Sequence, residues 1–135
     1  FSISPICSPS FFKAHPELAN SDLSQSRLIH VTVGPDNWDI WLSQWGIERP
    51  TDELSLNSFH ASLEATKNNV GVAMGYVPLV RKLVNRDELV MPMADKVSHT
   101  GKMYLVFKKA NVNEEIFQAF QLWMVDLMAR EWPDK

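Results

Sequence analysis

The sequence predicts an α/β domain in which a mostly parallel β-sheet is covered by helices. Short apolar segments with strand composition alternate along the 135 residues with segments that have helical periodicity. Most of these apolar segments are continuous rather than alternating with polar residues, a pattern typical of strands that are buried on both faces. Regular alternation of strands and helices favours parallel strands joined by helices that pack on the sheet.

The strands are predicted from apolar and β-branched runs that end at turn residues. Residues 28–33 are the clearest case, because Leu, Ile and Val precede a Gly-Pro-Asp-Asn turn. The predicted strands are residues 1–7, 28–33, 54–56, 70–76, 88–93 and 103–108.

The helices are predicted from capping residues and from apolar spacing. Ser8 followed by Pro9 is a typical helix start, and Gly46 is a typical helix end. Trp38, Trp41 and Trp45 share one helical face, and this spacing favours core packing over stacking on a base or a sugar. The predicted helices are residues 9–15, a short helix after Ser21, 38–45, 59–68, 78–84 and a long helix after Asn113.

Composition excludes several classes of protein. Hydrophobic residues make up 45% of the chain and charged residues 21%, as in one globular domain. The net charge of −3, with scattered Lys and Arg, argues against direct nucleic-acid binding. The sequence lacks an apolar run of the ~18 residues that a membrane-spanning helix needs. A single cysteine, Cys7, fits a reducing compartment, so we expect a cytoplasmic protein.

The residues offer little support for catalysis. None of the familiar nucleophile, phosphate-loop, dinucleotide or zinc motifs is present, and the four histidines are not spaced as metal ligands. We therefore expect no enzyme activity, no cofactor and no metal. Cys7 is expected to be a buried small side chain rather than a reactive thiol. A small α/β enzyme remains an alternative if a perturbed acid or histidine lies beside Ser58.

One turn has the geometry of a ligand site. A predicted strand ends and a helix begins at Asn57, Ser58 and Phe59, where free backbone N–H groups favour carboxylates and phosphates. Ligands in open α/β sheets bind at the carboxyl ends of strands. A simple helix cap explains the same residues equally well. Ser8 and Pro9 lie at a second predicted turn from a strand into a helix. A ligand site and a simple helix cap are both possible there as well.

The order of short motifs resembles the C-terminal effector-binding domain of LysR-type transcriptional regulators, closest to the branch that regulates glycine-cleavage and β-lactamase genes. Each motif is weak alone, but together they cover nearly the whole chain in the family's order. The motifs are ICSP at 6–9, LIH at 28–30, WDIWL at 38–42, NS at 57–58, GVAM at 71–74, LVMP at 89–92, YLV at 104–106 and FQLWM at 120–124.

The resemblance implies a Rossmann-like, periplasmic-binding-protein-like fold with two hinged subdomains and a small polar or anionic effector between them. Residues 1–107 would be the second subdomain, and residues 108–135 the helical return to the first. The family's winged helix-turn-helix, which binds DNA, lies further towards the N-terminus and is not in these residues. Because the chain begins at Phe1, we expect a preceding segment. The parent protein would be a homo-oligomer without membrane association.

The resemblance also assigns effector contacts to positions in this chain. They fall at the turn before the fourth predicted helix, on the predicted strand near residue 104, and at the opening turn. Ser58 and Tyr104 would be the hydrogen-bonding partners. The implied contact residues are Asn57, Ser58, Phe59, Met103, Tyr104, Ser8 and Pro9.

The long last helix supports a second hypothesis. Its apolar stripe would lose its cover without the first subdomain, and would then drive self-association or fold back on the rest of the chain. The chain could alternatively be a free-standing interaction module that uses this helix. An exposed stripe together with no pocket at Ser58 would favour that alternative. The stripe consists of Phe117, Phe120, Trp123, Met124 and Leu127.

Overall fold

The computed structural model describes residues 1–102, 104–109 and 114–131. The chain divides into two compact units, Phe1–Gly101 and Lys102–Lys135. The division falls slightly before residue 107, where the sequence placed the end of the first segment.

The first unit contains five strands and four α-helices. The strands are β1 (Ser2–Ile6), β2 (Leu28–Val31), β3 (Glu53–Leu56), β4 (Val72–Tyr76) and β5 (Ser98–His99). The helices are α1 (Pro9–Ala14), α2 (Asn37–Trp45), α3 (Phe59–Lys67) and α4 (Val77–Asn85), with a 3₁₀ helix at Pro16–Asn20. The second unit contains α5 (Glu115–Glu131).

The strands form one mixed sheet in the order β3-β2-β4-β1-β5. Strands β3, β2 and β4 are parallel, as the sequence predicts. β1 pairs antiparallel with β4 and with β5, so the sheet is parallel on one side only. The α/β class is confirmed. The direction of β1 was not evident from its residues, because an apolar run buried on both faces has the same composition in either direction.

Two of the predicted strands are absent. Within residues 88–93 the only sheet pairing is one bridge between Val90 and Cys7, whose backbone N–H and C=O groups bond at 3.1 and 2.8 Å. Leu89 and Met93 are fully buried and anchor this segment as a loop. Tyr104 to Lys108 also form no strand. In both segments a strand was predicted from apolar side chains alone, and the backbone does not form the hydrogen-bonded pairing of a strand. Met103 lies outside the described residues.

Helices cover both faces of the sheet. Trp38, Trp41 and Leu42 of α2 pack in one core with Val72 and Met74. Phe59 and Leu63 of α3 and Val80 of α4 pack in the other core with Ile29 and Ala73.

The tryptophan stripe of α2 is structural, as its spacing predicts. Trp38 and Trp41 are fully buried, and Trp45 is partly buried. Each indole N–H finds an acceptor. Trp38 donates to the Ile29 carbonyl at 2.9 Å, Trp41 to the Lys96 carbonyl at 2.8 Å, and Trp45 to Ser98 Oγ at 3.2 Å. These bonds tie α2 to β2, to the segment before β5 and to β5 itself.

The backbone at position 71 lies so close to the Arg27 carbonyl that only a glycine fits there. A Cβ atom there would lie 2.3 Å from the Arg27 carbonyl oxygen, which is itself the acceptor for the Val72 N–H at 2.9 Å. The obstructing atom is backbone, so a side chain at position 71 would have to push apart β2 and β4.

The helix of the second unit exposes much of its surface. No described residue of α5 is buried. Ile116, Leu122, Trp123 and Val125 are between 53% and 82% exposed. Within the unit, the Phe107 and Phe117 rings are 4.7 Å apart.

We predict that Gly71→Ala lowers the free energy of unfolding by about 3 kcal/mol, because the added methyl group separates β2 from β4. Urea unfolding followed by circular dichroism measures the change. Ser55→Ala, at an exposed position of β3, is the control and should stay within about 0.5 kcal/mol. Equal stabilities of the Gly71 variant and the control would contradict the strand spacing described here.

Candidate functional site

A pocket lies at the carboxyl edge of the parallel strands. It encloses about 70 Å³ between the ends of β2 and β4 and the first turns of α2 and α3. Its lining contains no Lys, Arg, Asp or Glu and is largely apolar or aromatic. The lining residues are Ile29, His30, Val31, Val33, Asn37, Trp38, Phe59, Met74 and Tyr76.

The pocket position follows from the topology. α2 leaves β2 on one face of the sheet, whereas α4 leaves β4 on the other face. The helices after two adjacent parallel strands therefore diverge, and a crevice opens outside the strand ends. Crevices of this kind hold ligands in open α/β sheets.

The predicted turn at the start of α3 borders this pocket. Ser58 is the N-cap, and its Oγ accepts a hydrogen bond from the Ala61 N–H at 3.4 Å. Phe59 lines the pocket, while Ser58 is half-buried beside it and Asn57 is exposed. Of the three predicted residues, Phe59 thus reaches the pocket interior directly.

A polar pair on the opposite wall was missed in the sequence. Asn37, the first residue of α2, donates from Nδ2 to the Tyr76 hydroxyl at 2.7 Å. The Asn37 Oδ1 atom is buried and has no hydrogen-bond partner. The two residues are 39 positions apart. No local motif relates them, and only the turn from β2 into α2 brings Asn37 to the end of β4.

Charged side chains next to His30 form a network that stabilises the first turn of α2. Asp36 is the N-cap and accepts from the Asp39 N–H at 2.9 Å, and its other oxygen pairs with Arg49 at 3.0 Å. His30 Nδ1 is 3.7 Å from Asp36. Arg49 also pairs with Glu53 at 2.8 Å. The network holds the first turn of α2, and hence Asn37 and Trp38, against the pocket.

The pKa of Asp36 reflects this network. Partial burial by itself would raise the pKa, but the hydrogen bond from the Asp39 N–H and the ion pair with Arg49 outweigh it. The pKa of the Asp36 carboxyl therefore lies below its ordinary value.

Ser8 and Pro9, two further predicted contact residues, lie away from this pocket. Ser8 caps α1, is buried, and donates to Asn69 Oδ1. Because β1 is antiparallel to β4, the turn at Ser8 and Pro9 lies near the amino end of β4, at the opposite edge of the sheet from Tyr76. Tyr104 belongs to the second unit and is 75% exposed. Met103 is outside the described residues.

Cys7 is the buried small side chain that the sequence predicts. It is fully buried beside β1, and burial raises the pKa of its thiol to about 12. The neutral thiol is a poor nucleophile at pH 7.

Among the described residues no group of three or more His, Cys, Asp or Glu side chains is arranged to hold a metal ion. In the same part of the chain, no helix combines the length and the apolar character that crossing a membrane requires.

The family assignment comes from the sequence as a whole. Residues 2–129 match the LysR substrate binding domain. The chain belongs to this family. The LysR substrate-binding chain is 28% identical over 131 residues to the HTH-type transcriptional regulator DsdC of Escherichia coli, covering 90% of the chain and 42% of DsdC. It is 23% identical over 135 residues to the HTH-type transcriptional activator AmpR of Enterobacter cloacae, covering 95% of the chain and 44% of AmpR. The chain thus spans less than half the length of these curated relatives.

Solved structures show the same fold. The effector domain of AmpR of Pseudomonas aeruginosa has a TM-score of 0.76 and 22% identity, over 96% of this LysR substrate-binding chain and 63% of that chain. The regulatory domain of CrgA of Neisseria meningitidis, a LysR-type transcriptional regulator, has a TM-score of 0.70 and 17% identity, over 93% and 65% of the two chains. The resemblance inferred from the motifs is confirmed.

We predict that Asp36→Asn lowers the free energy of unfolding at pH 7 by about 0.5–1 kcal/mol, because asparagine keeps the cap but loses the ion pair with Arg49. The folded-state pKa of Asp36 is depressed. The wild-type advantage is therefore fully present above the ordinary aspartate pKa of about 4 and disappears as pH falls through the folded pKa.

Urea unfolding of both proteins between pH 3 and pH 7 measures this difference. Glu48→Gln, at an exposed position, is the control, and its difference from wild type should be small throughout. A gap between Asp36→Asn and wild type that widens on acidification would show that the ion pair does not act as described.

Proposed function

We propose that this chain is the effector-sensing part of a bacterial LysR-type transcriptional regulator. A small polar or anionic molecule binds at the carboxyl edge of β2 and β4, next to the start of α3. The single observation that carries the proposal is the pocket at this edge in a chain of this family. Its walls combine aromatic surface with a few polar groups, as is typical of small-molecule sites.

Ser58 and Phe59 remain our proposed contacts at the start of α3, with Asn57 at the rim. The first amides of α3 have no acceptor within the helix, so they favour an oxygen atom of the effector. Tyr104, and Met103 before it, remain proposed contacts from the second unit. Ser8 and Pro9 are left out of the proposed site, because they lie at the other edge of the sheet.

Regulation would follow from effector binding to one of two arrangements of the parent protein. An effector shifts such an equilibrium only by its difference in affinity for the two states. We propose that the parent is a cytoplasmic homo-oligomer that binds DNA through a winged helix-turn-helix outside these residues, and that the chain itself catalyses no reaction. DsdC and AmpR carry the HTH-type name, which supports this assignment.

Blocking the pocket tests the proposal. Val33 lines the pocket and is 70% exposed, so Val33→Trp should obstruct the pocket with little effect on the core. A fragment library is screened by ligand-observed NMR against the wild type, and the hits are repeated on the variant. We expect most wild-type hits to lose binding at least tenfold in Val33→Trp. The free energy of unfolding should change by no more than about 0.5 kcal/mol.

Leu79→Trp is the matched control, because Leu79 is 43% exposed on α4 and does not line the pocket. This variant should bind the hits as the wild type does. A library without hits, or hits that bind Val33→Trp unchanged, would rule out the pocket as the effector site.

The exposed apolar surface of α5 favours a second candidate function, an interaction surface for association of chains. Leu122 and Trp123 are 73% and 53% exposed. Exposed apolar surface beyond the few hundred Å² usual on monomers marks an association site. We propose self-association through this helix.

We predict that Leu122→Glu combined with Trp123→Glu converts an oligomer of this chain into a monomer, because burying glutamate against apolar surface is costly. Size-exclusion chromatography with light scattering measures the mass. Ser43→Glu with Gln44→Glu, on exposed polar positions of α2, is the control and should leave the mass unchanged. A wild-type chain that is monomeric at all concentrations would refute the association.

A further inference from the structure

We infer that Tyr76 is an effector-contacting residue whose hydroxyl donates to a carboxylate of the effector, and that Asn37 positions that hydroxyl. The inference rests on the proposed effector pocket and names the chemical group that the pocket recognises. Neither residue was a candidate in the sequence.

The ring of Tyr76 is held in place at the end of β4. It packs edge-on against Phe59 at 5.3 Å between ring centroids, and against Phe1 at 5.4 Å. Both neighbours are aromatic, so they restrict the ring without providing an acceptor for the phenol proton. Tyr76 and Asn37 both line the pocket, and the Tyr76 hydroxyl is hydrogen-bonded to the Asn37 side chain.

The Tyr76 hydroxyl has one hydrogen-bond partner among the described residues, the Asn37 side chain. Asn37 Nδ2 donates to the hydroxyl oxygen at 2.7 Å, so the hydroxyl acts as the acceptor in this pair. A tyrosine hydroxyl can both accept and donate. Among the described residues none accepts the proton of Tyr76, and it therefore remains available for a ligand in the pocket.

The unpaired oxygen of the Asn37 amide indicates that the hydrogen bond to Tyr76 lowers the stability of the fold. Asn37 Oδ1 is buried without a partner, and unsatisfied buried acceptors are uncommon in folded proteins. The Asn37 amide nitrogen thus binds the Tyr76 hydroxyl, while the Asn37 amide oxygen is left without a donor. A residue selected for stability alone would be an apolar side chain of similar size, since that side chain would leave no buried acceptor unpaired.

The backbone N–H groups at the start of α3 also favour an oxygen acceptor. The lining contains no Lys, Arg, Asp or Glu. Phe59 and His60 begin α3, and their backbone N–H groups have no acceptor within the helix. The positive end of the α3 dipole lies at the same place. These donors, together with the Tyr76 hydroxyl, match a carboxylate better than they match an ammonium group.

The test uses two small ions of similar shape and opposite charge, propanoate and n-propylammonium. Each is titrated into the ¹⁵N-labelled chain, with Tyr76 also labelled at its ζ carbon. We expect propanoate to give saturable shifts at the Phe59 and His60 amides and at the Tyr76 ζ carbon. We expect n-propylammonium to bind at least tenfold more weakly.

Two variants then separate the roles of the pair. Tyr76→Phe keeps the ring and removes the donor, and it should weaken propanoate about tenfold or more, as expected for a hydrogen bond to a charged group. Asn37→Leu should weaken propanoate about threefold and should leave the midpoint of thermal unfolding unchanged or higher. It should have no further effect in the Tyr76→Phe background, because Asn37 acts through Tyr76.

Asn68→Leu is the matched control. Asn68 also donates one amide hydrogen bond, to the Glu64 carbonyl at 2.8 Å, but it is exposed at the end of α3. Propanoate should bind this variant as it binds the wild type.

Propanoate binding that is unchanged in Tyr76→Phe, or a preference for n-propylammonium, would overturn the assignment of Tyr76. If fragments still bind the wild type and not Val33→Trp, the proposed effector pocket would stand while this inference failed. Failure of both ions and of the whole library to bind would overturn the pocket and the inference together. A clear loss of stability in Asn37→Leu would show that Asn37 serves the fold instead.

Discussion

The buried hydrogen bond from the Trp38 indole to the Ile29 carbonyl positions the rest of the site. It joins the first turn of α2 to Ile29, within β2, at 2.9 Å, inside a core where Trp38 is 1% exposed. A buried indole N–H without an acceptor would be costly, so the bond restricts both the rotation of α2 and its position along the strand. With α2 held in this way, Asn37 lies beside Tyr76, and the pocket has its polar wall.

The two edges of the sheet differ in how closely their residues are packed. At the amino edge of β4 the chain is closely packed: Gly71 lets the Arg27 carbonyl approach, and Ser8 pairs with Asn69. At the carboxyl edge Asn37 Oδ1 has no partner, and a space of about 70 Å³ remains between aromatic side chains. Unsatisfied groups and cavities lower stability, and proteins retain them mainly where a ligand binds.

Family membership and the pocket support different parts of the functional argument. The match over residues 2–129 assigns the chain to the LysR substrate-binding family. The similar solved structures, at 17–22% identity, show only that the fold is shared. The chemical class of the proposed effector is therefore argued from the lining of the pocket. Tyr76 and Asn37 matter for that reason, since they form a hydrogen-bonded polar pair in the lining, beside the first backbone amides of α3.

The sequence by itself determined the α/β class, the helix starts at Ser8 and Ser58, the core role of the α2 tryptophans and the family. The class, the helix starts and the role of the tryptophans depend on local capping chemistry and on apolar periodicity, which act over a few neighbouring residues. The family was inferred from the resemblance of the ordered motifs along the chain. Tertiary structure alone decided the antiparallel direction of β1, the loop at residues 88–93 and the pairing of Asn37 with Tyr76. Apolar composition does not encode strand direction or strand pairing. The polar pair arises from two chain segments that meet only after the sheet has formed.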